Sequence, residues 1–207
     1  QHNLTLTQEQ IGELLPRGRV VRNPFNASLD TVPHAWPASD RGFRLACLAR
    51  LDAREKGQDL LLRVLAQDKW KERPLSVTCY GAGHNEAGLK AMAQFLKVDS
   101  VTFAGSTPHP SSIWADHHAL VLASRCEGLP LSMIEALLHA RPVIVTDAGG
   151  NREAVRDGET GFLAGAATEH ALDEALERAW QARERWQEIG RSAVAFARDL
   201  VPRDPVA

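Results

Sequence analysis

HALVLASRCEGLPLSMIEALLHARPVIVTDA, residues 118–148, decides the fold class. HALVLAS (118–124) is an apolar run of strand length, PLSMIEALLHA (130–140) carries apolar residues at helical spacing behind a proline, and PVIVTDA (142–148) is a second strand-length run. Neither run alternates apolar with polar residues, so each is expected to be covered on both faces. Parallel strands joined through a helix have that property.

The alternation continues in both directions. Upstream, FRLACLAR (43–50), PLSVTCYG (74–81) and VTFAG (101–105) are expected strands, GQDLLLRVLAQ (57–67) and NEAGLKAMAQFLK (85–97) expected helices, and SSIWADH (111–117) a helical turn or two. Downstream, NREAVRD (151–157) is an expected short helix. Gly158 and Gly161 bracket a turn before FLA (162–164), and one long helix over 167–200, carrying Trp180 and Trp186, closes the domain. This order predicts an α/β fold: a Rossmann-like, doubly wound, mainly parallel sheet of about six strands flanked by helices.

Residues 1–40 read differently. LTQEQIGELL (6–15) has the pattern of a short amphipathic helix and Arg19 to Val21 that of a short strand, after which Pro24, Pro33 and Pro37 interrupt regular structure. The expected organisation is therefore a tail and linker over 1–40, the Rossmann-like domain over 41–200, and a C-terminal tail over 201–207. The chain begins at Gln1 rather than Met, and an N-terminal portion is expected to precede it.

At 207 residues the chain is long enough for one large domain with a sizeable core. Hydrophobic residues at 44% and charged residues at 24% are ordinary for a globular protein, and a net charge of -2 offers no basic surplus for nucleic acid. No apolar run reaches the roughly eighteen residues of a membrane span. Cys47, Cys79 and Cys126 lie in or beside apolar runs without C-x-x-C spacing, so buried free thiols in a reducing compartment are expected.

Ligands of doubly wound sheets bind beyond the carboxyl ends of the strands, so the candidate residues are those just after each strand. In EGLPLSMIE (127–135), Pro130 suits a first helical turn, and the amides of Gly128, Leu129 and Leu131 sit at a positively polarised helix start. That arrangement suits phosphate. Glu127 precedes the helix and Glu135 lies within it, about 12 Å away or less at 1.5 Å per residue. A diphosphate between them leaves one carboxylate near each flanking sugar, where an acceptor-only group suits a vicinal diol. Two carboxylates also repel a diphosphate, so cations are needed nearby. Arg50, at the end of the first strand, and Lys56, just before Gly57, are the candidates; the alternative is that they are solvated loop charges.

Other features carry less. Gly81, Gly83 and Gly88 in YGAGHNEAG (80–88) do not match the dinucleotide fingerprint, and the loop reads either as a tight strand-to-helix turn or as a close approach to a nucleotide. FAGSTPHP (103–110), with Ala104, Gly105 and Ser106, is an open loop able to receive a flat base or simply an ordinary loop. The histidines lack metal spacing, so no metal is expected. His139 falls near a helix end where an imidazolium would suit the dipole. Ser124 lacks a nucleophile elbow and defines no catalytic triad.

The stretch 124–163, SRCEGLPLSMIEALLHARPVIVTDAGGNREAVRDGETGFL, resembles the signature region of retaining, nucleotide-sugar-dependent glycosyltransferases of the GT-B architecture, the "group 1" family. Glu127 and Glu135, with seven residues between them, match its paired-glutamate motif. ARLDAREKG (49–57) resembles its donor-phosphate segment, and VVRNPFN (20–26) resembles the end of its acceptor domain. The likeness runs from Val20 to about Ala195, and it is specific at the paired glutamates but not at the glycine loop.

The resemblance implies that Arg50 and Lys56 hold the donor diphosphate and stabilise the leaving nucleotide. It implies further that Glu127 contacts the transferred sugar and Glu135 the ribose hydroxyls, that Gly128, Leu129, Pro130 and Leu131 touch sugar or phosphates, and that Gly83, Ala104, Gly105 and Ser106 flank the base. Transfer then proceeds with retention, without a divalent metal or other cofactor. The partners are a nucleotide-sugar donor and a sugar or glycolipid acceptor, the latter held by an N-terminal domain that is almost wholly absent here. On that basis the 207-residue chain is expected to bind donor but not to transfer it, and the full-length protein to be cytoplasmic, at the inner face of a membrane. Two rival readings are a GT-B-like sugar-nucleotide epimerase and a non-catalytic nucleotide-sugar binding module. A glycosidase built on Glu127 and Glu135 leaves the cationic loop without a purpose.

Overall fold

The computed structural model describes residues 30–200, together with Gln8, Glu9 and Gly12. The expected strand at 19–21, the helix over 6–15 apart from those three residues, and the tail over 201–207 lie outside the described residues. Six strands, β1 (Phe43–Leu48), β2 (Leu75–Tyr80), β3 (Val101–Gly105), β4 (Ala119–Leu122), β5 (Val143–Thr146) and β6 (Gly161–Ala164), form one sheet in the order β3-β2-β1-β4-β5-β6. Every neighbouring pair is parallel. The chain winds outward from β1 to β3, returns to the middle, and winds outward again from β4, so its order reverses between β1 and β4.

Because successive side chains of a strand point to opposite faces, each central strand feeds two cores. Val121 and Ile144 join one with Leu45, Val77 and Leu176, while Leu120, Val143 and Val145 join the other with Met133, Leu137 and Trp114. Helices α1 (Ala53–Lys56), α2 (Gln58–Leu65), α3 (Asp68–Lys71), α4 (Glu86–Phe95), α5 (Leu131–Leu138), α6 (Glu169–Gln181) and α7 (Trp186–Leu200) provide the cover. The expectation of doubly covered strands holds for β4, β5 and β6, which are buried throughout. It fails for β2, which alternates buried and half-buried residues, and for the edge strand β3, where Thr102 and Ala104 are exposed.

The long terminal helix is two helices. A 3-10 turn at Arg183–Arg185 separates α6, whose Leu172, Leu176 and Trp180 pack in the first core, from α7, which starts in that core with Trp186 and Ile189 and ends in the second with Ala193 and Ala197. The turn redirects the chain so that it crosses from one core to the other. The turn also lets Trp180 and Trp186 each meet Phe43 edge-on, at 5.8 and 5.2 Å, while Trp186 Nε1 donates to the Ala179 carbonyl at 2.8 Å. The short helix expected over 151–157 is reduced to a 3-10 turn at Asn151–Glu153. Cys47 and Cys79 are buried and free, but Cys126 is exposed, contrary to expectation, because its loop turns out over the strand ends.

At the other end of the strands, Arg141 is 1% exposed between α5 and β5. Its guanidinium donates to the carbonyls of His117 (2.8 Å), His139 (2.9 Å), Ala35 (2.8 Å) and Trp114 (2.5 Å), and lies 5.1 Å from the Trp36 ring. Burial pulls its pKa down to about 10. His139 is the C-cap of α5 and stacks on His34 at 4.9 Å. Burial and the nearby His34 and Arg141 push its pKa to about 4, so it is neutral rather than the dipole-matching imidazolium expected from its position.

Candidate functional site

A cavity of about 500 Å³ opens beyond the carboxyl ends of the strands, where the order reverses. It is lined by Leu48 at the end of β1 and Ala49 after it, Gly81 after β2, Ser106, Thr107 and Pro110 after β3, Leu122 of β4, and Glu127 to Ser132 with Glu135 around the start of α5; Lys56 reaches in from α1. Pro130 is the N-cap of α5 rather than its first residue, and no side chain caps the first turn. The amides there are left for another acceptor, at the end of the helix that favours anions.

Lys56 is delivered by a short, tightly terminated helix. Asp52 caps α1 by accepting from the amides of Arg54 and Glu55, at 3.2 and 3.4 Å, and Gly57 ends it with φ 63°. A β-carbon on Gly57 would stand 1.9 Å from the Ala123 carbonyl, so glycine is required both by conformation and by space. Lys56 Nζ then donates to Glu127 Oε2 at 2.9 Å, with side chains only 16% and 8% exposed. Ser124 Oγ donates to the other carboxylate oxygen at 2.6 Å. Both oxygens of Glu127 are thus engaged.

The Glu127 loop is tied down on both sides. Arg125 grips Asp59 through two bonds of 2.7 and 2.8 Å, and the amides of Arg125 and Cys126 donate to the Glu55 carbonyl. Burial alone would push the Asp59 carboxyl up, but the Arg125 hydrogen bonds and charge hold it below its ordinary value. Beneath the loop, Gly149 has φ 56°, and a β-carbon there would lie 1.8 Å from the Glu127 carbonyl. Gly150 N donates to the Gly128 carbonyl at 2.6 Å. Glu135 is half-buried, and burial raises its carboxyl above the ordinary range.

Of the residues proposed from sequence, Lys56, Glu127, Gly128, Leu129, Pro130, Leu131, Glu135 and Ser106 line this one cavity. Arg50 does not: its side chain is 65% exposed and pairs with Glu55 at 2.5 Å. Gly83 is packed against the Leu51 carbonyl, away from the lining, and Ala104 and Gly105 complete β3 short of it. Ser124, dismissed as a nucleophile, is a hydrogen-bond donor to Glu127, and its place three residues ahead of a loop glutamate is the only signal for it in the sequence. Nothing in the local pattern announces the Arg125–Asp59 clasp, whose partners are 66 positions apart.

A doubly wound parallel sheet with a cation, two carboxylates and an uncapped helix start gathered at its switch point defines a Rossmann-like ligand-binding domain. Comparison then gives the family: residues 42–182 match the family described as "Glycosyl transferases group 1", and the chain belongs to it. Among its relatives is a glycosyltransferase of Haemophilus influenzae, described as uncharacterized, 34% identical over 110 residues, covering 52% of this chain and 31% of the relative. Another is a GDP-mannose-dependent alpha-(1-6)-phosphatidylinositol monomannoside mannosyltransferase of Mycolicibacterium smegmatis, 31% identical over 144 residues, covering 64% of this chain and 37% of the relative. The Anabaena HepE crystal structure with UDP and glucose superposes with a TM-score of 0.77 at 21% identity, covering 94% of this chain and 56% of that one, and shows the shared fold. This chain therefore spans about a third of the length of the curated relatives it matches.

Proposed function

We propose that the chain is the donor-binding domain of a retaining glycosyltransferase, one that moves a sugar from a nucleotide diphosphate sugar to an acceptor hydroxyl. The observation that carries this reading is the Lys56–Glu127 pair, 2.9 Å apart beside the uncapped start of α5, in a cavity that also takes Glu135. A donor of this class presents a diphosphate, a ribose diol and a sugar, and the cavity offers a group for each.

In this reading Lys56 and the first-turn amides of α5 receive the diphosphate, and they bind it more strongly as negative charge collects on it when the anomeric C–O bond breaks. Arg50, at the mouth, exchanges Glu55 for a phosphate oxygen. Glu135 accepts from the ribose hydroxyls and Glu127 from hydroxyls of the transferred sugar, with the Gly128 to Leu131 backbone beside them. Ser106 faces the base, and Gly83, Ala104 and Gly105 shape that side from behind. The departing phosphate oxygen takes the proton of the acceptor hydroxyl as the new bond forms on the same face, and these cations and amides meet the phosphate charge without a divalent metal. The acceptor is held by residues outside this chain, which by itself binds donor and does not transfer.

One relative is named for a guanosine donor and one structural neighbour holds a uridine diphosphate, so the base is an experimental question. Calorimetry and thermal shift with uridine, guanosine and adenosine diphosphates test the reading. One of them is expected to bind and raise the melting temperature; a ligand at a hundred times its Kd adds about 2.7 kcal/mol. Failure of all three to bind at millimolar concentration refutes it.

A further inference from the structure

The carboxylate of Glu127 is held from below by a column of buried side chains outside the cavity lining. Asn151 Nδ2 donates to the Thr146 carbonyl at 2.9 Å, Thr146 Oγ1 donates to the Ser124 carbonyl at 2.5 Å, and Ser124 Oγ donates to Glu127 Oε1 at 2.6 Å. Asn151, Thr146 and Ser124 are each 0% exposed. The column links the 3-10 turn after β5, the last residue of β5 and the segment after β4, and it ends on Oε1, the carboxylate oxygen of Glu127 that Lys56 does not hold.

We infer that Ser124 is a positioning residue for donor-sugar recognition, with Thr146 and Asn151 fixing its backbone in turn. The reasoning is geometric. A carboxylate held by Lys56 alone keeps its charge partner but not its orientation, because an ammonium is a point charge on a flexible stem. A second, short hydrogen bond from a buried hydroxyl fixes the plane of the carboxylate. Nothing else in the lining holds that oxygen among the described residues. When the diphosphate draws on Lys56, Ser124 is the contact that keeps Glu127 aimed at the sugar. This inference rests on the proposed donor site and assigns a selective consequence to a buried residue outside the cavity lining.

The test compares Ser124→Ala, Ser124→Cys and wild type, alone and on a Glu127→Gln background, by calorimetry with the preferred nucleoside diphosphate and its nucleotide sugar, alongside melting temperature. The expected result is a loss of about tenfold in nucleotide-sugar affinity, the scale of a hydrogen bond to a charged group. Nucleoside diphosphate affinity should stay within about twofold, and Ser124→Ala should add no further loss once Glu127 is Gln. Ser124→Cys, close in size and a weaker donor, gives the same selective loss in smaller degree and stands in if the alanine variant fails to fold. Equal losses for both ligands, or a loss that persists with Glu127→Gln, reduce Ser124 to a structural residue and overturn the inference while leaving the donor site standing. A wild-type chain that binds neither ligand overturns both.

Discussion

Gly149→Ala is the sharpest perturbation of this fold, because it strikes the backbone under the candidate site without touching any side chain in it. Gly149 has φ 56°, a region that costs a residue with a β-carbon about 1–2 kcal/mol. The new methyl would lie 1.8 Å from the Glu127 carbonyl oxygen, 1.2 Å inside the 3.0 Å that β-carbons respect (3.0 − 1.8). Either the 149–150 turn or the 127–128 peptide must move by about that much, and the 2.6 Å bond from Gly150 N to the Gly128 carbonyl is strained or broken. Losing that bond adds about 0.5–1.5 kcal/mol. The expected total is about 3 kcal/mol, a fall of roughly 6–12 °C in melting temperature for a domain of this size. If the peptide moves, Glu127 moves with it, and misplacement near 1 Å can cost on the order of a hundredfold in catalysis. Denaturant unfolding and donor calorimetry are the assays. Gly158→Ala is the control: φ is 79° but nothing lies within 4 Å of its added carbon, so only the conformational cost of about 1–2 kcal/mol applies. Equal effects at Gly149 and Gly158, or unchanged donor affinity at Gly149, refute the crowding argument.

Three further outcomes follow from the same geometry. Lys56→Met should cost diphosphate affinity by about tenfold or more, equally for nucleotide and nucleotide sugar, since it removes a charge-assisted contact and leaves a buried carboxylate unpaired; a loss confined to the sugar form contradicts the assignment of Lys56 to phosphate. Burial raises the Glu135 carboxyl, so protonation stabilises the fold below its unfolded pKa of 4.5 and that gain disappears as pH rises through the raised folded value. Glu135→Gln should therefore raise the melting temperature at pH 7 and flatten its pH dependence just above 4.5, and an unchanged profile refutes the desolvation. Arg141→Lys replaces a five-donor fork with three donors and leaves buried carbonyls among Trp114, His117, His139 and Ala35 unpaired, at about 1–3 kcal/mol each. Urea unfolding should show a loss of about 2–4 kcal/mol, and one under 1 kcal/mol would mean the fork is dispensable.

The sheet was legible because burial on both faces writes itself as unbroken apolar runs, and 119–122, 143–146 and 161–164 are buried at every position. The candidate site was legible to the extent that its groups follow strands, as Lys56, Glu127 and Glu135 do. Arg50 was placed by the same rule and lies outside the lining, since sequence position sets where a loop starts but not which neighbour its side chain chooses; here Glu55, five residues on, takes it. The break at 183–185 was invisible because its cause is tertiary: helical periodicity continues through Ala182, while the chain beyond the break has to cross from the core of Trp180 and Trp186 to that of Ala193 and Ala197. Ser124 and Arg125 escaped for a related reason. Their roles depend on partners brought close by folding, Asp59 from 66 positions upstream and Thr146 from 22 downstream.

The Arg141 anchorage has a mechanical side. It gathers the carbonyls of Ala35, Trp114, His117 and His139 at the end of β4 and β5 where those strands begin, while the cavity lies where they finish. Four residues of strand, about 13 Å, stand between the two. Residues 34–36 are thus fastened to the start of the sheet, through the Arg141 fork, the His34–His139 stack and the Trp36–His118 edge contact, at the opposite end of the strands from Lys56, Glu127 and Ser124.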